Sequence, residues 1–551
     1  MLNINGIHRR NKSTKGQQAA SVHEGARFPR LTADLDQTLE QIDMELGHSP
    51  DLKIRQVKIG SKQPIQAAAI HLNGLVNTET VNEFVIGSLL GITDDMLQNI
   101  SATEDLKDYI FNRALELGEA QLLQDWKEVM LAILSGNTVI VIEGFDTAIL
   151  CETEGGEARS VTEPTTQLVV RGPKDSFVES VATNISLIRR RIKSSKLRLE
   201  HLKIGKVTHT HVALMYIKDN ADEKLVEEVR KRLSQINVDA ILESGYIEEL
   251  IQDKTFTPFP TINNSERPDV AATNLLEGRV VIIIDGTPFV LILPAVFTLF
   301  FQSPSDYAQR FDITILMRLV RYISFIVLIL GPSVYIALTT YHYEMIPTTL
   351  LINLLAQREN VPFPAFVEAL LMEGAFEIIR EAGVRMPRAV GQTVSVVGAL
   401  ILGQAVVEAG IITPVMVIVV ALTGIASFAV PAYNMAISGR IIRFLFLVLA
   451  GMFGFYGITL GLIVLVAHMN SLRSFGVPYL SPIVPLSSHG QKDAILRLPL
   501  WALNTKQAST KHGGISEGKK ISTGHEQNLS PEIFKKTEGP DQAKKGMQDA
   551  E

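Results

Sequence analysis

Residues 322–341, YISFIVLILGPSVYIALTTY, form an uncharged and strongly apolar run of 20 residues. A helix needs about 20 apolar residues to cross the hydrocarbon core of a bilayer, so this run predicts a membrane span. Arg318 and Arg321 come just before the run, and the positive-inside rule places that end in the cytoplasm. Pro332 in its middle predicts a kink. The run therefore indicates an integral membrane protein.

Further uncharged runs follow towards the C-terminus. They cover residues 390–407, which Glu408 ends, and residues 409–439 and 444–467. Residues 346–355 are too few to cross a bilayer alone and predict a re-entrant or tilted half-helix. We therefore expect four to six spans. The side of the membrane on which the C-terminal tail lies stays open.

Charged residues are abundant up to about residue 307 and are scarce beyond it. The net charge of −6 and the lack of a basic excess exclude nucleic acid as an expected partner. Cys151 is the only cysteine, so no intrachain disulfide is expected. Because the N-terminal residues contain no apolar run, we expect no cleavable signal peptide and a front half that stays in the cytoplasm.

In the front half, strand-like runs alternate with helical periodicity, which predicts two α/β subdomains. The fold class is an α/β soluble N-terminal region of two subdomains, followed by an all-α multi-span membrane domain. The predicted parts are a polar leader (1–51), a first α/β cytoplasmic subdomain (52–165), a second (166–262), a linker with an apolar hairpin and a short hydrophobic helix (263–310), a helical membrane domain (311–486) and a polar tail (487–551).

Asp285 and Gly286 lie between two apolar runs and predict a tight hairpin, because both residue types accept positive φ angles. Both runs are too apolar to face water. We therefore expect the hairpin to lie against the membrane, with a short hydrophobic helix following at about residues 295–302.

A helix at about 365–381 would align Glu373, Glu377 and Glu381 one turn apart, with Arg380 within reach of Glu377. One interpretation is an amphipathic helix at the membrane interface with a solvated face. The other is an acidic vestibule that attracts cations, as rings of carboxylates do in cation channels. The second interpretation requires an oligomer, because one helix supplies only one stripe.

Gln404 and Glu408 are polar exceptions beside an apolar run and share a helix face at i, i+4. An ionisable group inside a membrane is costly unless it faces water or a partner, so both are candidate pore or pathway residues. Alternatively, Glu408 ends its helix and reaches the headgroups. The last run carries a row of glycines typical of close helix packing: Gly451, Gly454, Gly457 and Gly461.

Three weaker sequence patterns do not indicate a functional site. Residues 513–520 approach a phosphate-binding loop, but Lys520 replaces the hydroxyl that would hold magnesium. His209 and His211 share a strand face without a recognisable third ligand, and Cys151 fits a small core residue. We predict no catalytic residue, no cofactor and no metal site, and therefore no enzyme.

Three long segments carry a resemblance to a known family. They begin with RGPKDSFVESV (171–192), FTPFPTINNSERPDV (256–307) and FVEALLMEGAFEIIREAG (366–414). Together they resemble the A subunit of GerA-type spore germinant receptors of endospore-forming Bacillus-like bacteria, over roughly residues 64–480. The motif positions are Arg171, Gly172, Pro173, Glu266, Arg267, Pro268, Asp269, Asp285 and Gly286.

The resemblance implies a receptor in the inner membrane of the spore with its large N-terminal domain in the cytoplasm. It implies a transporter-like B subunit and a lipoprotein C subunit as partners, together with further copies of the chain and membrane lipid. It also implies an oligomeric ion-conducting path that opens when a nutrient binds. The alternative hypothesis is a membrane-anchored scaffold or signalling adaptor, whose soluble domain binds a ligand or partner without conducting ions.

Overall fold

The computed structural model describes residues 31–60, 62, 64–94, 109–111, 120–155, 164, 166–167, 169, 171–385, 401–486, 491 and 493–499. The start of the predicted leader, the near-match at 513–520, most of the run at 390–407 and the tail from residue 500 onwards lie outside these residues. The chain divides into two compact units. The first comprises residues 1–157 with 193–195, and the second comprises 158–192 with 196–551.

The first unit contains an antiparallel sheet in the order β1-β2-β4-β5-β3. Its strands are β1 (Leu52–Ile59), β2 (Ile65–Leu72), β3 (Ala120–Leu123), β4 (Thr138–Ile142) and β5 (Ala148–Cys151). Its described helices are α1 (Leu35–Leu46), α2 (Thr78–Thr80), a π-helical turn (Val81–Ile86), α3 (Gly87–Leu90) and α4 (Trp126–Ser135). The α/β class predicted for this region is confirmed.

Helix α1 lies within the predicted polar leader, so the leader boundary at residue 51 needs correction. Asp34 caps the helix by accepting a hydrogen bond from the Gln37 amide. Leu35, Leu39 and Ile42 recur at helical spacing and are buried in the same apolar cluster as β2 and α4. Burying a leucine side chain stabilises a fold by about 2 kcal/mol, so this face holds α1 on the sheet.

The second unit begins with another antiparallel sheet, in the order β6-β7-β9-β10-β8. Counted from the first strand of each sheet, this order matches that of the first unit. The strands are β6 (Leu197–Ile204), β7 (Thr210–Ile217), β8 (Asn263–Ser265), β9 (Val280–Ile284) and β10 (Val290–Leu293). The helices packed with them are α5 (Val181–Arg191), α6 (Glu223–Gln235), α7 (Ser244–Ile251) and α8 (Pro268–Leu276).

The hairpin at Asp285 and Gly286 forms as predicted, but it does not lie against a membrane. Strands β9 and β10 are inner strands of the second sheet, which therefore extends well beyond residue 262. Val281 and Ile283 pack with α5 and α8, whereas Val280 and Ile282 pack with α6 and α7 on the other face. Helices cover both faces of the sheet, and this explains why the two runs are apolar throughout.

A helical region follows the second sheet. Its elements are a 3-10 helix (Phe297–Phe301), α9 (Ser305–Ala308), α10 (Phe311–Thr340), a 3-10 helix (Tyr343–Met345), α11 (Thr348–Arg358), α12 (Ala365–Arg385), a π-helical turn (Ile401–Ala405), α13 (Val406–Glu408), α14 (Pro414–Phe428) and α15 (Tyr433–Ser471). Among the described residues, α10 and α15 are long and apolar enough to cross a membrane. Helix α10 continues through Pro332, and α11 is as short as predicted for a half-helix.

Helix α15 is two helical arms joined at Gly454, whose φ of 60° and ψ of −139° are not helical. A Cβ atom built on Gly457 would lie 2.3 Å from the Leu449 carbonyl oxygen, and one on Gly461 would lie 2.8 Å from the Leu449 side chain. Residues this far apart in sequence touch only if the chain turns back on itself. The predicted glycine packing is therefore present, but it lies around a chain reversal instead of along one straight helix face.

The segment after α15 returns to the second α/β sheet. It forms a small hairpin of β11 (Arg473–Ser474) and β12 (Val477–Pro478). The Ser474 hydroxyl donates to the Thr261 carbonyl oxygen at 2.6 Å and accepts from the Ala295 amide at 3.0 Å. Residues 472–480 therefore lie at the same end of the helices as the second sheet.

Candidate functional site at the junction of the second sheet and the helices

Glu266 and Arg267 hold together the family-motif segments of the second unit. The Glu266 carboxylate accepts a hydrogen bond from the Thr166 hydroxyl at 2.7 Å. The guanidinium of Arg267 is fully buried and donates to the Pro173 carbonyl oxygen at 2.8 Å and to Asp269 at 2.7 Å. Because a buried guanidinium must be paired, this arrangement ties the loop at Pro173 to the start of α8.

The other motif positions in this region also act on the backbone. Pro268 occupies the first turn of α8, where its missing N–H costs nothing. Gly172 has a φ of 141°, which disfavours any side chain, and Arg171 beside it is exposed. Gly172 therefore sets the backbone of the loop at residues 171–173, and Pro268 sets the start of α8.

Asp285 and Gly286 position the N-terminus of α5. The Asp285 carboxylate accepts from the Val181 amide at 3.0 Å, and the Gly286 amide donates to the Glu179 carbonyl oxygen at 2.8 Å. Gly286 adopts a φ of 91°, as the predicted hairpin turn requires. The motif therefore joins the hairpin to the helix that covers it.

A buried carboxylate, Asp306, connects the sheet side of the junction to α10. It accepts from Arg318 Nε at 2.9 Å and from Arg321 Nη1 at 2.8 Å. Arg318 also contacts the Asp493 carboxylate at 3.1 Å, and the Tyr307 hydroxyl donates to Asp493 at 2.6 Å. Burial and the nearby Asp493 charge raise the pKa of Tyr307, so its hydroxyl keeps the proton that it donates. The sequence indicates the two arginines only as charges flanking a span and does not identify their partner.

Glu373 and Glu377 on α12 form an ion-pair network with arginines of α12 and α15. Glu373 and Arg443 are both fully buried and lie 2.7 Å apart. Glu377 lies 2.7 Å from Arg440 and 2.9 Å from Arg443. The predicted contact between Glu377 and Arg380 is confirmed at 3.5 Å.

This network differs from the open acidic stripe that the helix periodicity predicts. Three arginines face two carboxylates, so the cluster carries an excess positive charge. Of the three predicted vestibule residues, only Glu381 is exposed, and it pairs with Arg385 at 2.7 Å. The sequence does not indicate the network because Arg440 and Arg443 lie about 60 residues away from α12.

Gln404 and Glu408 share a helix face as predicted. Gln404 Nε2 donates to Glu408 Oε1 at 2.9 Å, and both residues are exposed. The buried Glu368 accepts from the amide and the hydroxyl of Thr413 at 3.0 Å, directly before the start of α14. Glu368 is a further buried acid that helix periodicity alone does not distinguish from its neighbours.

A cavity of about 600 Å³ lies between the second sheet unit and the helices. Arg380 and Arg440 line its helical side, and Asn274, Glu277 and Tyr307 line the other side. Burial raises the pKa of Glu277 despite the nearby Arg279. Within the described part of the chain, no three His, Cys, Asp or Glu side chains are grouped to hold a metal ion.

Residues 40–509 match the sequence model of the family described as Bacillus/Clostridium GerA spore germination protein. The chain belongs to the GerA family. This GerA chain is 50% identical over 501 residues to Spore germination protein KA of Bacillus subtilis (strain 168), across 91% of the chain and 90% of that protein. It is 39% identical over 469 residues to Spore germination protein GerLA of Bacillus cereus, across 85% of the chain and 94% of that protein.

A solved structure is also similar to this GerA chain. It is the N-terminal domain of the A subunit of the Bacillus megaterium spore germinant receptor GerK3. The sequence identity is 38%, the TM-score is 0.39, and the match covers 49% of this chain and 98% of that domain. The family match and the two Spore germination proteins, KA and GerLA, confirm the resemblance carried by the three long motifs.

Proposed function

We propose that this chain is the membrane A subunit of a spore germinant receptor and responds when a nutrient binds to the receptor. The observation that carries this proposal is the family relationship, which extends over residues 40–509. The relatives that are 50% and 39% identical are both named as spore germination proteins. Two helices long and apolar enough to cross a membrane support the membrane location.

The proposed partners are a transporter-like B subunit, a lipoprotein C subunit, further copies of this chain and membrane lipid. The proposed location is the inner spore membrane, with the α/β region on the cytoplasmic side. Arg318 and Arg321 at the start of α10 support this orientation, because basic residues are enriched at the cytoplasmic ends of spans. Arg440 supports it as well, since it lines the same cavity as residues of the second sheet unit.

We further propose that several copies of the chain surround an ion-conducting path. Gln404 and Glu408 are the leading candidates for its lining, because a hydrogen-bonded polar pair is exposed next to apolar helices. Glu381 is exposed and can contribute to the mouth of the path. Glu373 and Glu377 are given a structural role instead, because Arg443 of α15 pairs with both of them, Glu373 is fully buried and Glu377 is mostly buried.

The junction supplies a route by which nutrient binding would bias the path. Asp306 ties the segment after the second sheet to Arg318 and Arg321 in α10 through buried ion pairs. A displacement of the sheet unit would therefore be passed directly to α10. Nutrient binding would favour the open arrangement to the extent that the receptor binds nutrient more tightly in that arrangement.

The decisive experiment measures nutrient-dependent potassium release from vesicles that contain the complete receptor. Glu408→Gln removes one charge from the proposed path. A charge 4 Å from a cation contributes on the order of 1–4 kcal/mol, so we expect the flux to fall about fivefold or more. Glu359→Gln, at an exposed position after α11, is the matched control and should leave the flux unchanged.

Normal flux from Glu408→Gln and Gln404→Ala receptors, at normal protein levels, would contradict the conducting role. If variants of the buried Arg267 then abolish the germination response, the result favours the scaffold or signalling adaptor. In that case the helices anchor the chain, and the α/β region transmits the signal.

A further inference from the structure

The cavity at the junction has the size and the composition of a ligand site. Its volume of about 600 Å³ falls within the usual range of small-molecule pockets. Its walls come from the loop at residues 166–173 with Asn263, from α8, from the segment around Tyr307, and from helices α12, α14 and α15 with their connections. A molecule bound there would lie between the sheet unit and the helices.

The helical wall of the cavity carries excess positive charge. Arg380 and Arg440 both line it, and they share the single carboxylate of Glu377 with Arg443. The guanidinium of Arg380 lies over the rings of Phe376 and Phe428, at 4.8 and 5.4 Å from their centroids. These contacts hold the guanidinium in place.

One donor of this fixed group is unused. Arg380 Nε is buried and has no hydrogen-bond partner among the described residues. A buried N–H of a charged group is costly when unpaired. An anion in the cavity would offset the excess positive charge of the arginines.

The rim of the cavity has the composition of a membrane interface. Phe428 and Tyr433 line the cavity, and they are 75% and 61% exposed. They lie at the turn between α14 and α15, beside Val430 and Pro431. Aromatic residues are enriched where helices meet the headgroup region, so this rim fits the bilayer boundary.

We propose that the cavity binds the phosphate group of an anionic phospholipid, with Arg380 and Arg440 as its ligands. Planar guanidinium groups bind phosphate oxygens in a bidentate manner, and basic pockets between helices on the cytoplasmic side take up anionic headgroups. Asn274 and Tyr307 line the opposite wall, but Tyr307 donates its hydroxyl proton to Asp493 and Asn274 donates to the Val270 carbonyl oxygen, so the two arginines carry the recognition. Glu277 on that wall is ion-paired with Arg279 at 3.3 Å, which offsets its negative charge towards an anion.

This site does not depend on ion conduction. It requires only that the helices lie in a bilayer, so it can hold whether or not Glu408 lines a path. Free phosphate carries the same chemistry, and the experiment must separate the two sources.

The test uses the full-length chain purified in detergent and then returned to nanodiscs of phosphatidylglycerol or phosphatidylcholine. Native mass spectrometry measures the lipid retained by each protein. We expect the wild type to retain phosphatidylglycerol, and Arg380→Gln/Arg440→Gln to retain about tenfold less, because charge-assisted hydrogen bonds are lost. Arg310→Gln removes an exposed charge outside the cavity and should retain lipid as the wild type does.

A second variant covers the case in which the double substitution does not fold. Thr273 lines the cavity from an exposed position on α8, so Thr273→Trp fills space without touching the ion-pair network. It should also lower phosphatidylglycerol retention. Inorganic phosphate is titrated against the delipidated protein in parallel.

The outcomes separate cleanly. Retention of phosphatidylglycerol that depends on both arginines and resists inorganic phosphate supports the lipid site. Arginine-dependent binding of inorganic phosphate that displaces the lipid supports a phosphate site with a soluble ligand. Equal retention by the wild type and all folded variants, with no phosphate binding, would overturn the proposal.

Discussion

The buried pair of Glu373 and Arg443 allows a quantitative test of the helical region. Both side chains are fully buried and lie 2.7 Å apart. Removing one member of a buried ion pair costs about 3–5 kcal/mol, because the remaining charge loses its partner. Arg443→Met should cost that full amount, whereas Glu373→Met should cost less because Arg443 keeps Glu377 at 2.9 Å.

The double variant Glu373→Met/Arg443→Met should recover most of this loss, since well-packed apolar replacements of buried pairs are often close to neutral. We therefore expect a coupling free energy of about 3 kcal/mol between the two positions. Unfolding of the purified chain in mixed micelles by dodecyl sulfate, followed by helical circular dichroism, measures each free energy of unfolding.

The same helix offers a matched control. Glu381 and Arg385 form a pair at 2.7 Å, but their side chains are 64% and 79% exposed. Their coupling should be no more than about 0.5 kcal/mol. A coupling below about 1 kcal/mol for Glu373 and Arg443 would refute the buried network. If Glu373→Gln lowered the ion flux at unchanged stability, Glu373 would again be a candidate residue for the mouth of the path.

Three further predictions concern single positions. Gly454→Ala should destabilise the chain by about 2 kcal/mol or more, because the positive φ of Gly454 and neighbouring atoms closer than 3.0 Å oppose a Cβ atom. Gly374 has open space around its Cβ position, so the control Gly374→Ala should stabilise the chain by up to about 1 kcal/mol. Unfolding in micelles measures both free energies. Burial raises the pKa of Glu248 to about 7, so the stability it contributes at low pH is lost as the pH rises towards neutrality. Glu248→Gln should therefore be more stable than the wild type by up to about 3 kcal/mol at about pH 8 and equal to it at about pH 4, as thermal unfolding would show. Burial also raises the pKa of Cys151 to about 12, so iodoacetamide should modify this thiol only after the first unit unfolds, which mass spectrometry would detect.

The sequence alone determined the features that depend on neighbours along the chain. The apolar length of 322–341 predicts a helix able to span a bilayer, and α10 covers this run up to Thr340. The turn chemistry of Asp285 and Gly286 predicts the hairpin, and the i, i+4 spacing of Gln404 and Glu408 predicts their contact. Three long motifs also determined the family, which the comparisons confirm.

Only the tertiary structure decided which surfaces these elements cover. An apolar strand has the same sequence pattern whether lipid or helices cover it. The structure shows that helices pack on both faces of the sheet that contains β9 and β10. A carboxylate on a helix likewise has the same spacing whether it faces water or an arginine. Glu373 meets Arg443 because α12 and α15 pack together, and Gly454 reverses α15 through its own backbone angles. Local periodicity specifies a helix or strand and its faces, whereas charge pairing and burial depend on residues that folding brings together from distant parts of the chain.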